Sequence, residues 1–429
     1  MKKQMGMLLG GIALCTGLAA CSTEGSGSTD GTIEIEFWYG LGSEAGNKME
    51  ELITSFNESQ DEVVLKGVAQ ANYSETYQNL QAGLAASTAP AVVLLENSTM
   101  MDLAGREVLA PLDEYMAADE IYDEGDFLSV FMENVRLDDT YYGLPGYGTT
   151  QVMYYRQDLF EEAGVDAEEA FSSWESLDEA GKKIVEQTDA SFGWAPMWGE
   201  PNLIDIAQSN GGQILNDEGT EVLIDSPEWI EAWEFVRTAI HEESSMKINS
   251  GGQGWEYWYR TIDDVMNGTV VGYTGSSGDK GNLDFEIIDS AIQPGMNGNP
   301  AQPTIDGLVM AIPDALSDEE KEAGWQWMSY FTSPEVTADW AQTIGYIPVR
   351  ESAMEVPEYA EFADANPYLT IPFEQAQIGA AAFIDPTGNK IIDALEIAAD
   401  KVELENISAE EALTEAKNQA QAALDDVNE

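Results

Sequence analysis

The sequence predicts an α/β protein of two domains, and three observations support this. The chain has 429 residues, more than one ordinary hydrophobic core holds. Its apolar content of 44% is typical of a globular protein. After residue 32, strand-like and helix-like segments alternate, which is typical of an open sheet covered by helices.

The first twenty residues predict a targeting segment. The basic start MKK precedes an apolar run that is too short and too rich in glycine for a good membrane-spanning helix. The run ends in Leu18-Ala19-Ala20-Cys21, and small residues before a cysteine match the cleavage box of bacterial lipoproteins. We therefore expect residues 1–20 to be a signal peptide and Cys21 to carry lipid. A secretory signal with a chance cysteine is the alternative.

The cysteine count and the charge exclude several functions. Cys15 would leave with the signal peptide, so no thiol remains for a disulfide, a catalytic nucleophile or a metal site. Residues 21–32 are polar and predict a flexible tether that anchors the protein without spanning the membrane. The net charge of −61 becomes −63 when Lys2 and Lys3 are lost (−61 − 2). Such a charge disfavours nucleic acid and anionic membrane surfaces as partners.

The segment that follows the tether predicts the first lobe of an α/β sheet. Residues 32–40, TIEIEFWYG, alternate as a strand does, and a helix is predicted from Ser43. DEVVLKGVAQ, YSETYQNLQAGLAAS and PAVVLLEN then predict a strand, a helix and a strand buried on both faces. Ligands of such sheets bind beyond the carboxyl ends of the strands, here near residues 38–40, 70–73 and 96–98.

The rest of the chain predicts a second lobe and returns to the first. The loop YYGLPGYG suggests a crossing near residues 143–148, and a helical middle follows it. We assign residues 33–143 and 273–333 to the first lobe, and residues 144–272 and 334–429 to the second. In TIGYIPVR, Gly345 is a natural helix stop and Pro348 prevents the helix from resuming, so the Tyr346 side chain should point in one direction.

Few residues could support catalysis. The chain has one histidine, His241, so a histidine-based triad or a multi-histidine metal site is disfavoured. No glycine-lysine loop for phosphates is present, and we expect neither a cofactor nor a metal. Among 79 acidic residues some pair arises by chance, so a carboxylate-dependent glycosidase stays open as an alternative.

Aromatic residues, glycines and small hydroxyl residues concentrate instead at predicted strand ends and loops. Aromatic faces stack on the C–H faces of sugars, and hydroxyls and carboxylates bind ring hydroxyl groups. A sugar or polyol is therefore the solute that the residue types favour.

The order of these segments resembles the extracellular solute-binding proteins of ATP-driven importers, in the carbohydrate-type group that includes maltose-binding protein. The nearest resemblance is to glycerol-3-phosphate-binding proteins of that group. It rests on FWYG, NYSETYQNLQAGLAASTAPAVVLLEN, TTQVMYYRQDLFEEAGVD, VMNGTVVGYTGSSG, IDGLVMAIP and TSPEVTADWAQTIGYIPVR. It implies a periplasmic-binding-protein-like fold of two lobes, a ligand cleft between them, hinge closure and a monomer that docks on importer permease subunits.

The resemblance also implies a set of ligand-binding residues. Polar and backbone contacts are expected from Tyr73, Glu96, Gly148, Thr149, Ser276, Ser277, Gly307 and Tyr346, and aromatic walls from Trp38 and Trp198. Ser276 and Ser277 also lie between glycines, where exposed N–H groups could hold an anion or hydroxyls.

One departure bears on the ligand. Glycerol phosphate binders of this group grip the phosphate with an arginine on a late helix, whereas the nearest cation here is Lys390. A lysine is a point charge without the two-pronged geometry of arginine. We therefore favour a neutral sugar or oligosaccharide, with glycerol-3-phosphate or a glycerophosphodiester as the alternative. The expected location is the extracellular face of the cell membrane.

Overall fold

The computed structural model describes residues 32–253 and 255–428. The predicted signal peptide, the lipid-modified Cys21 and nearly all of the tether lie outside these residues. In the part of the chain that is described, no helix is long and apolar enough to cross a membrane.

The described residues form strands and α-helices in the following order. The strands are β1 (Ile33–Tyr39), β2 (Val63–Ala69), β3 (Val92–Glu96), β4 (Arg136–Leu137), β5 (Thr140–Tyr141), β6 (Leu144–Arg156), β7 (Gly272–Ser276), β8 (Ile288–Ala291), β9 (Thr304–Ala311) and β10 (Ala380–Ala381). The helices are α1 (Ser43–Ser59), α2 (Tyr73–Ala86), α3 (Asn97–Gly105), α4 (Asp113–Ala118), α5 (Ser129–Glu133), α6 (Gln157–Ala163), α7 (Ala167–Ala170), α8 (Trp174–Gln187), α9 (Glu200–Ser209), α10 (Pro227–His241), α11 (Glu256–Met266), α12 (Asp318–Phe331), α13 (Pro334–Ile344), α14 (Pro357–Ala365), α15 (Ile371–Ala376), α16 (Lys390–Glu403) and α17 (Ala409–Asn428).

The first lobe is built on the predicted alternation of strands and helices. β1 lies between β2 and β3 and is parallel to both, with α1 and α2 as the connections. β9 lies on the other side of β3 and is antiparallel to it. Phe37 and Tyr39 of β1 are buried, as is the apolar run Val92 to Leu95 in β3. The predicted α/β class is confirmed.

The two lobes share the long strand β6. Residues 144–150 of this strand pair with β9 in the first lobe. Residues 151–156 pair with β7 and β8 in the second lobe. The chain therefore passes from one lobe to the other at Thr150 and Gln151, slightly later than the predicted crossing at residues 143–148.

The hydroxyl of Thr150 joins three passages of the chain between the lobes. Thr150 Oγ1 donates to the backbone oxygen of Thr304 at 2.8 Å and accepts from Gln375 Nε2 at 2.7 Å. Gln375 Nε2 also donates to the backbone oxygen of Gln151 at 2.7 Å. Thr304 begins β9, which returns to the first lobe, and Gln375 lies in α15, on the last passage to the second lobe. The contact therefore ties all three passages between the lobes together.

Each lobe has its own buried apolar core, and the cores correct the predicted boundaries. The first core uses residues 35–147, 305–349 and 373–376, and the second lobe uses residues 152–296 and 391–424. Residues 273–296 belong to the second lobe because β7 and β8 pair with the second half of β6. Residues 144–147 and 336–349 belong to the first lobe, where Trp340 packs on Tyr147 with ring centroids 5.2 Å apart.

The segment after α13 has the predicted geometry. α13 ends at Ile344, and Gly345 adopts the left-handed conformation with φ +95° that glycine tolerates best. Arg350, which the sequence left without a role, is buried in the first lobe. Its guanidinium lies 4.3 Å from the ring centroid of Phe127 and 3.3 Å from Asp126 Oδ2. These contacts fix the loop that presents Tyr346.

Gly307 lies where β9 packs closely on β6, and its packing is testable. A Cβ atom at this position would lie 2.4 Å from the backbone oxygen of Tyr147. We expect Gly307→Ala to lower the free energy of unfolding by about 1–3 kcal/mol, measured by urea denaturation. Gly105→Ala is the control, because a Cβ there meets nothing within 4 Å and alanine favours the helix. Equal stability of the two variants would contradict the close approach of the strands.

Candidate functional site

A cavity of about 370 Å³ opens between the lobes beside the crossing point of β6. Both lobes contribute to its walls, through β6, β9, the end of β7, one face of α9 and the loop after it, the first turn of α11, the segment after β10 and the start of α16. The polar and aromatic side chains of the lining include Thr149, Gln151, Asp205, Trp258, Ser276 and Asp306.

Three predicted site residues come together on the crossing strands. Thr149 and Ser276 line the cavity. Ser277 is buried behind them, and its Oγ lies 3.4 Å from Thr149 Oγ1. The hydroxyls therefore form one small group at the junction of β6 and β7.

Glu96 lies next to an acidic residue that the sequence reasoning missed. Asp306 of β9 lines the cavity, and its Oδ1 accepts from Asn97 Nδ2 at 3.0 Å and from the Gly307 N–H at 2.8 Å. Burial and the charge of Asp306 raise the pKa of Glu96, and burial also raises the pKa of Asp306. Asp306 could have been found by the argument used for Glu96, since each is a single acid in an apolar strand.

Three tyrosines form a cluster on the first-lobe side. The hydroxyls of Tyr73 and Tyr147 are 3.4 Å apart, and Tyr147 stacks on Tyr346 with ring centroids 4.8 Å apart. Burial raises the pKa of Tyr346 to about 12. Tyr346 also lies against Gly278, where a Cβ would be 2.9 Å from its ring. Tyr73 and Tyr346 were predicted, whereas Tyr147 was not.

The second-lobe wall is Trp258, another residue that the sequence reasoning missed. Its indole Nε1 donates to Asp279 Oδ1 at 2.9 Å, and the Tyr273 hydroxyl donates to Asp279 Oδ2 at 3.1 Å. Burial raises the pKa of Asp279 to about 7. The buried carboxyl thus fixes the orientation of Trp258. No local signal separates this tryptophan from the other aromatic residues at the start of α11.

The remaining predicted residues lie away from this group. Trp38 donates its indole N–H back along β1 to Glu36 Oε2 at 2.8 Å. Trp198 packs edge-on against Tyr257 and donates to Asp400 Oδ1 at 2.7 Å. Lys390 is exposed at the start of α16 and is not among the residues that line the cavity.

Gly148 and Gly307 have a packing role in the structure. A Cβ at Gly148 would lie 1.9 Å from Phe131 Cζ, and one at Gly307 would meet the Tyr147 backbone. Both glycines are buried, and the absence of a side chain at each position lets Phe131 and the Tyr147 backbone pack closely against them.

Several backbone N–H groups near the cavity that could hold an anion are already occupied by acceptors of the protein. Asp385 Oδ2 accepts from Ile391 N and Ile392 N, the first turn of α16, at 2.8 and 3.1 Å. Glu403 Oε2 accepts from Gly199 N at 3.0 Å, just before α9. In the predicted glycine-serine loop, Ser276 Oγ accepts from Gly278 N at 3.1 Å. An anionic ligand would have to displace these acceptors.

The charged groups of the cavity are acidic. Lysine and arginine are missing from the described residues that line it. Asp205 is buried and accepts from Thr304 N and Gln293 Nε2 at 2.8 and 2.7 Å, and burial raises its pKa to about 6. In the described part of the chain, no group of three or more potential ligand residues is arranged to hold a metal ion. Chemically, the cavity is suited to accept hydrogen bonds and to stack on a ring.

Comparison with known proteins gives the family. A model of the bacterial extracellular solute-binding proteins matches residues 51–367, which is most of the chain. The chain belongs to this family. The solute-binding protein is 24% identical over 366 residues to the sn-glycerol-3-phosphate-binding periplasmic protein UgpB of Yersinia pestis, and 80% of each chain is covered.

Solved structures show the same two-lobed fold. The sugar-binding protein MalE from Xanthomonas citri matches with a TM-score of 0.80 and 20% identity, covering 92% of this solute-binding protein and 98% of MalE. UgpB from Mycobacterium tuberculosis in complex with glycerophosphocholine matches with a TM-score of 0.77 and 23% identity, covering 92% and 99%. Because both matches are similarly close, the fold does not select the ligand.

The buried carboxyl of Asp279 predicts a specific pH dependence of stability. An aspartate in an unfolded chain has a pKa near 3.9, whereas burial raises the pKa of Asp279 in the folded protein to about 7. Between these values the folded state retains a proton that the unfolded state has released. Raising the pH through this window therefore lowers the free energy of unfolding, by at most about 1.4 kcal/mol per pH unit.

We expect Asp279→Asn to remove this slope. The stability of the variant relative to the native protein should rise between about pH 4 and 7 and stay level outside that window, as measured by denaturation at several pH values. Asp217→Asn, at an exposed turn, controls for the loss of one charge. A pH-independent difference for Asp279→Asn would show that this carboxyl does not titrate in the window.

Proposed function

We propose that this solute-binding protein captures a hydroxyl-rich, non-phosphorylated carbohydrate or polyol and delivers it to the permease of an ABC importer. The observation that carries the proposal is the cavity at the β6 crossing. It combines threonine and serine hydroxyls, two carboxylates and the face of Trp258, and no basic side chain of the described residues lines it. These are groups that bind sugar hydroxyls and stack on sugar rings.

Binding of glycerol-3-phosphate or a glycerophosphodiester is the second candidate. The identity to UgpB of Yersinia pestis favours it. The electrostatics oppose it, because Glu96, Asp205 and Asp306 would repel a phosphate group. The first turn of α16, where Lys390 lies, is also capped by Asp385.

We further propose that the protein catalyses no reaction. A glycosidase needs one carboxyl group as an acid and a second as a nucleophile or base. Asp205 supports the proposal, because both of its oxygens are engaged by Thr304 N and Gln293 Nε2.

The lipid anchor and the monomeric state are also proposals. The Leu18–Cys21 box supports anchoring of the mature protein at the extracellular face of the membrane. Metabolic labelling with palmitate, compared between the native protein and Cys21→Ala, checks the anchor. Size-exclusion chromatography of the purified protein checks the monomer.

A ligand screen tests the proposed function. Oligosaccharides should raise the melting temperature, and ligand at 100 times its Kd should stabilise by about 2.7 kcal/mol. The same incubations should release no sugar product. Stabilisation by glycerol-3-phosphate or glycerophosphodiesters alone would overturn the choice of solute, and product release at enzymatic rates would overturn the binding role.

Trp258 should contribute directly to affinity. Trp258→Ala removes an aromatic wall of the cavity, so we expect binding of a stabilising saccharide to weaken by about 2 kcal/mol in calorimetric titration. Tyr259→Ala is the matched control, since Tyr259 is the next residue of the same helix but is 53% exposed and does not line the cavity. Equal effects of the two substitutions would remove Trp258 from the binding surface.

A further inference from the structure

Two acidic side chains at the edge of the cleft are left without a counterion. Glu96 ends β3 and Asp306 lies in β9, the next strand of the sheet, where Glu96 pairs with Leu308. Both hydrogen bonds that Asp306 accepts, from Asn97 Nδ2 and Gly307 N, fall on Oδ1. Within the described residues, no hydrogen bond or ion pair reaches the Glu96 carboxylate or Asp306 Oδ2.

Within residues 32–253 and 255–428, no lysine or arginine pairs with either carboxylate. Most of its lysines and arginines are paired with other carboxylates, as with Arg156 and Asp158 or Lys182 and Asp178. Lys280 instead donates to the backbone oxygen of Gln342, and Arg260 donates to two loop carbonyls. Two like charges in a partly desolvated cleft of a chain with net charge −61 create a strongly negative potential. Burial and the Asp306 charge raise the pKa of Glu96, which is the expected response of a charge without compensation.

The surroundings of the pair match a positively charged nitrogen. The side chain of Asn97 is buried, and its Oδ1 has no hydrogen-bond donor, while its Nδ2 is already committed to Asp306. The tyrosine cluster lies on the same side, since the charge of Glu96 acts on Tyr73. Aromatic faces attract cations, and the unpartnered Asn97 amide oxygen, which is itself closed to solvent, adds a negative partial charge beside the pair.

We propose that the natural solute carries a positively charged nitrogen, which binds between Glu96 and Asp306 beside Tyr73. The inference rests on the proposed function, because it concerns the same cleft, and it narrows the solute class from carbohydrates and polyols in general to those with an amino or quaternary ammonium group. A metal ion does not fit, since no cluster of three or more potential ligand residues occurs among the described residues. Two carboxylates suit an ammonium group, which is large. An amino group adds charge-assisted hydrogen bonds, whereas a quaternary group is held by charge and by aromatic contact alone.

Two pairs of probes test the charge and separate its possible sources. A glucosamine trimer and cellotriose share one backbone and differ in an amino or a hydroxyl group at each ring. Choline and 3,3-dimethyl-1-butanol have the same shape, with nitrogen or carbon at the centre. In calorimetric titration, the charged member of at least one pair should bind at least about tenfold more tightly. Preference within the first pair indicates an amino sugar, and preference within the second a quaternary ammonium group.

Variants show whether the preference arises at the acidic pair. Glu96→Gln and Asp306→Asn should each reduce it to less than about threefold, while Glu218→Gln should leave it unchanged. Glu218 is exposed in the turn between Leu215 and Val222 and does not line the cavity, and its variant carries the same change in net charge. Circular dichroism and melting curves confirm that the variants fold.

Three results overturn the inference. They are binding of the neutral members as tightly as the charged ones, failure of every charged probe to bind at millimolar concentration, and a preference that survives in both cleft variants. Binding of neutral saccharides without any preference for charge overturns this inference and leaves the proposed function standing. Binding of glycerol-3-phosphate alone overturns the proposed function itself.

Discussion

The hydrogen bonds of a single hydroxyl group hold the junction of the two lobes in register. Thr150 Oγ1 donates to Thr304 and accepts from Gln375, and the Gln375 side chain is fully buried. A residue without a hydroxyl would leave the buried amide short of a partner, at a cost of about 1–3 kcal/mol. Thr149 and Gln151, on either side, line the cavity, so the position of its polar groups depends on this contact.

Beside the cleft of this acidic protein, carboxyl groups occupy N–H groups at the starts of helices. Asp385 accepts from N–H groups in the first turn of α16, and Glu403 accepts from the N–H immediately before α9. Positive partial charge concentrates at these helix N-termini. The Asp385 carboxylate is stabilised there and makes the start of α16 less attractive to a free anion, whereas burial raises the pKa of Glu403 well above its usual value. The chain has few cations, and these carboxyl groups cover the positive helix N-termini. A solute therefore meets a negative potential in the cleft. Among the described residues at the cleft, Glu96 and Asp306 keep carboxylate oxygens that accept no hydrogen bond, whereas both oxygens of Asp205 are engaged.

The parts of the structure that the sequence predicts are those with local causes. The strand and helix alternation from β1 to β3 follows from side-chain periodicity, and the end of α13 follows from Gly345. Thr149 and Ser276 line the cavity; the family resemblance predicted both, and the glycines beside Ser276 also indicated it. Asp205 and Trp258 had no local signal, because only the tertiary fold brings α9 and α11 to the crossing strands. The packing of Gly148 and Gly307 was equally hidden, since their partners Phe131 and Tyr147 are not visible as neighbours in the sequence.

The placement of Thr150 also limits how the lobes can move. Thr150 of β6 pairs with Ile305 of β9, so these two strands cross between the lobes side by side. The third passage lies beside them at the same level, because Gln375 donates a hydrogen bond to Thr150. A rotation of the lobes would therefore have one axis, close to this level, with little sliding along it. The gap between the lobes widens with distance from such an axis. The thickness of a solute would then set the angle of closure, and its extent along the axis would not.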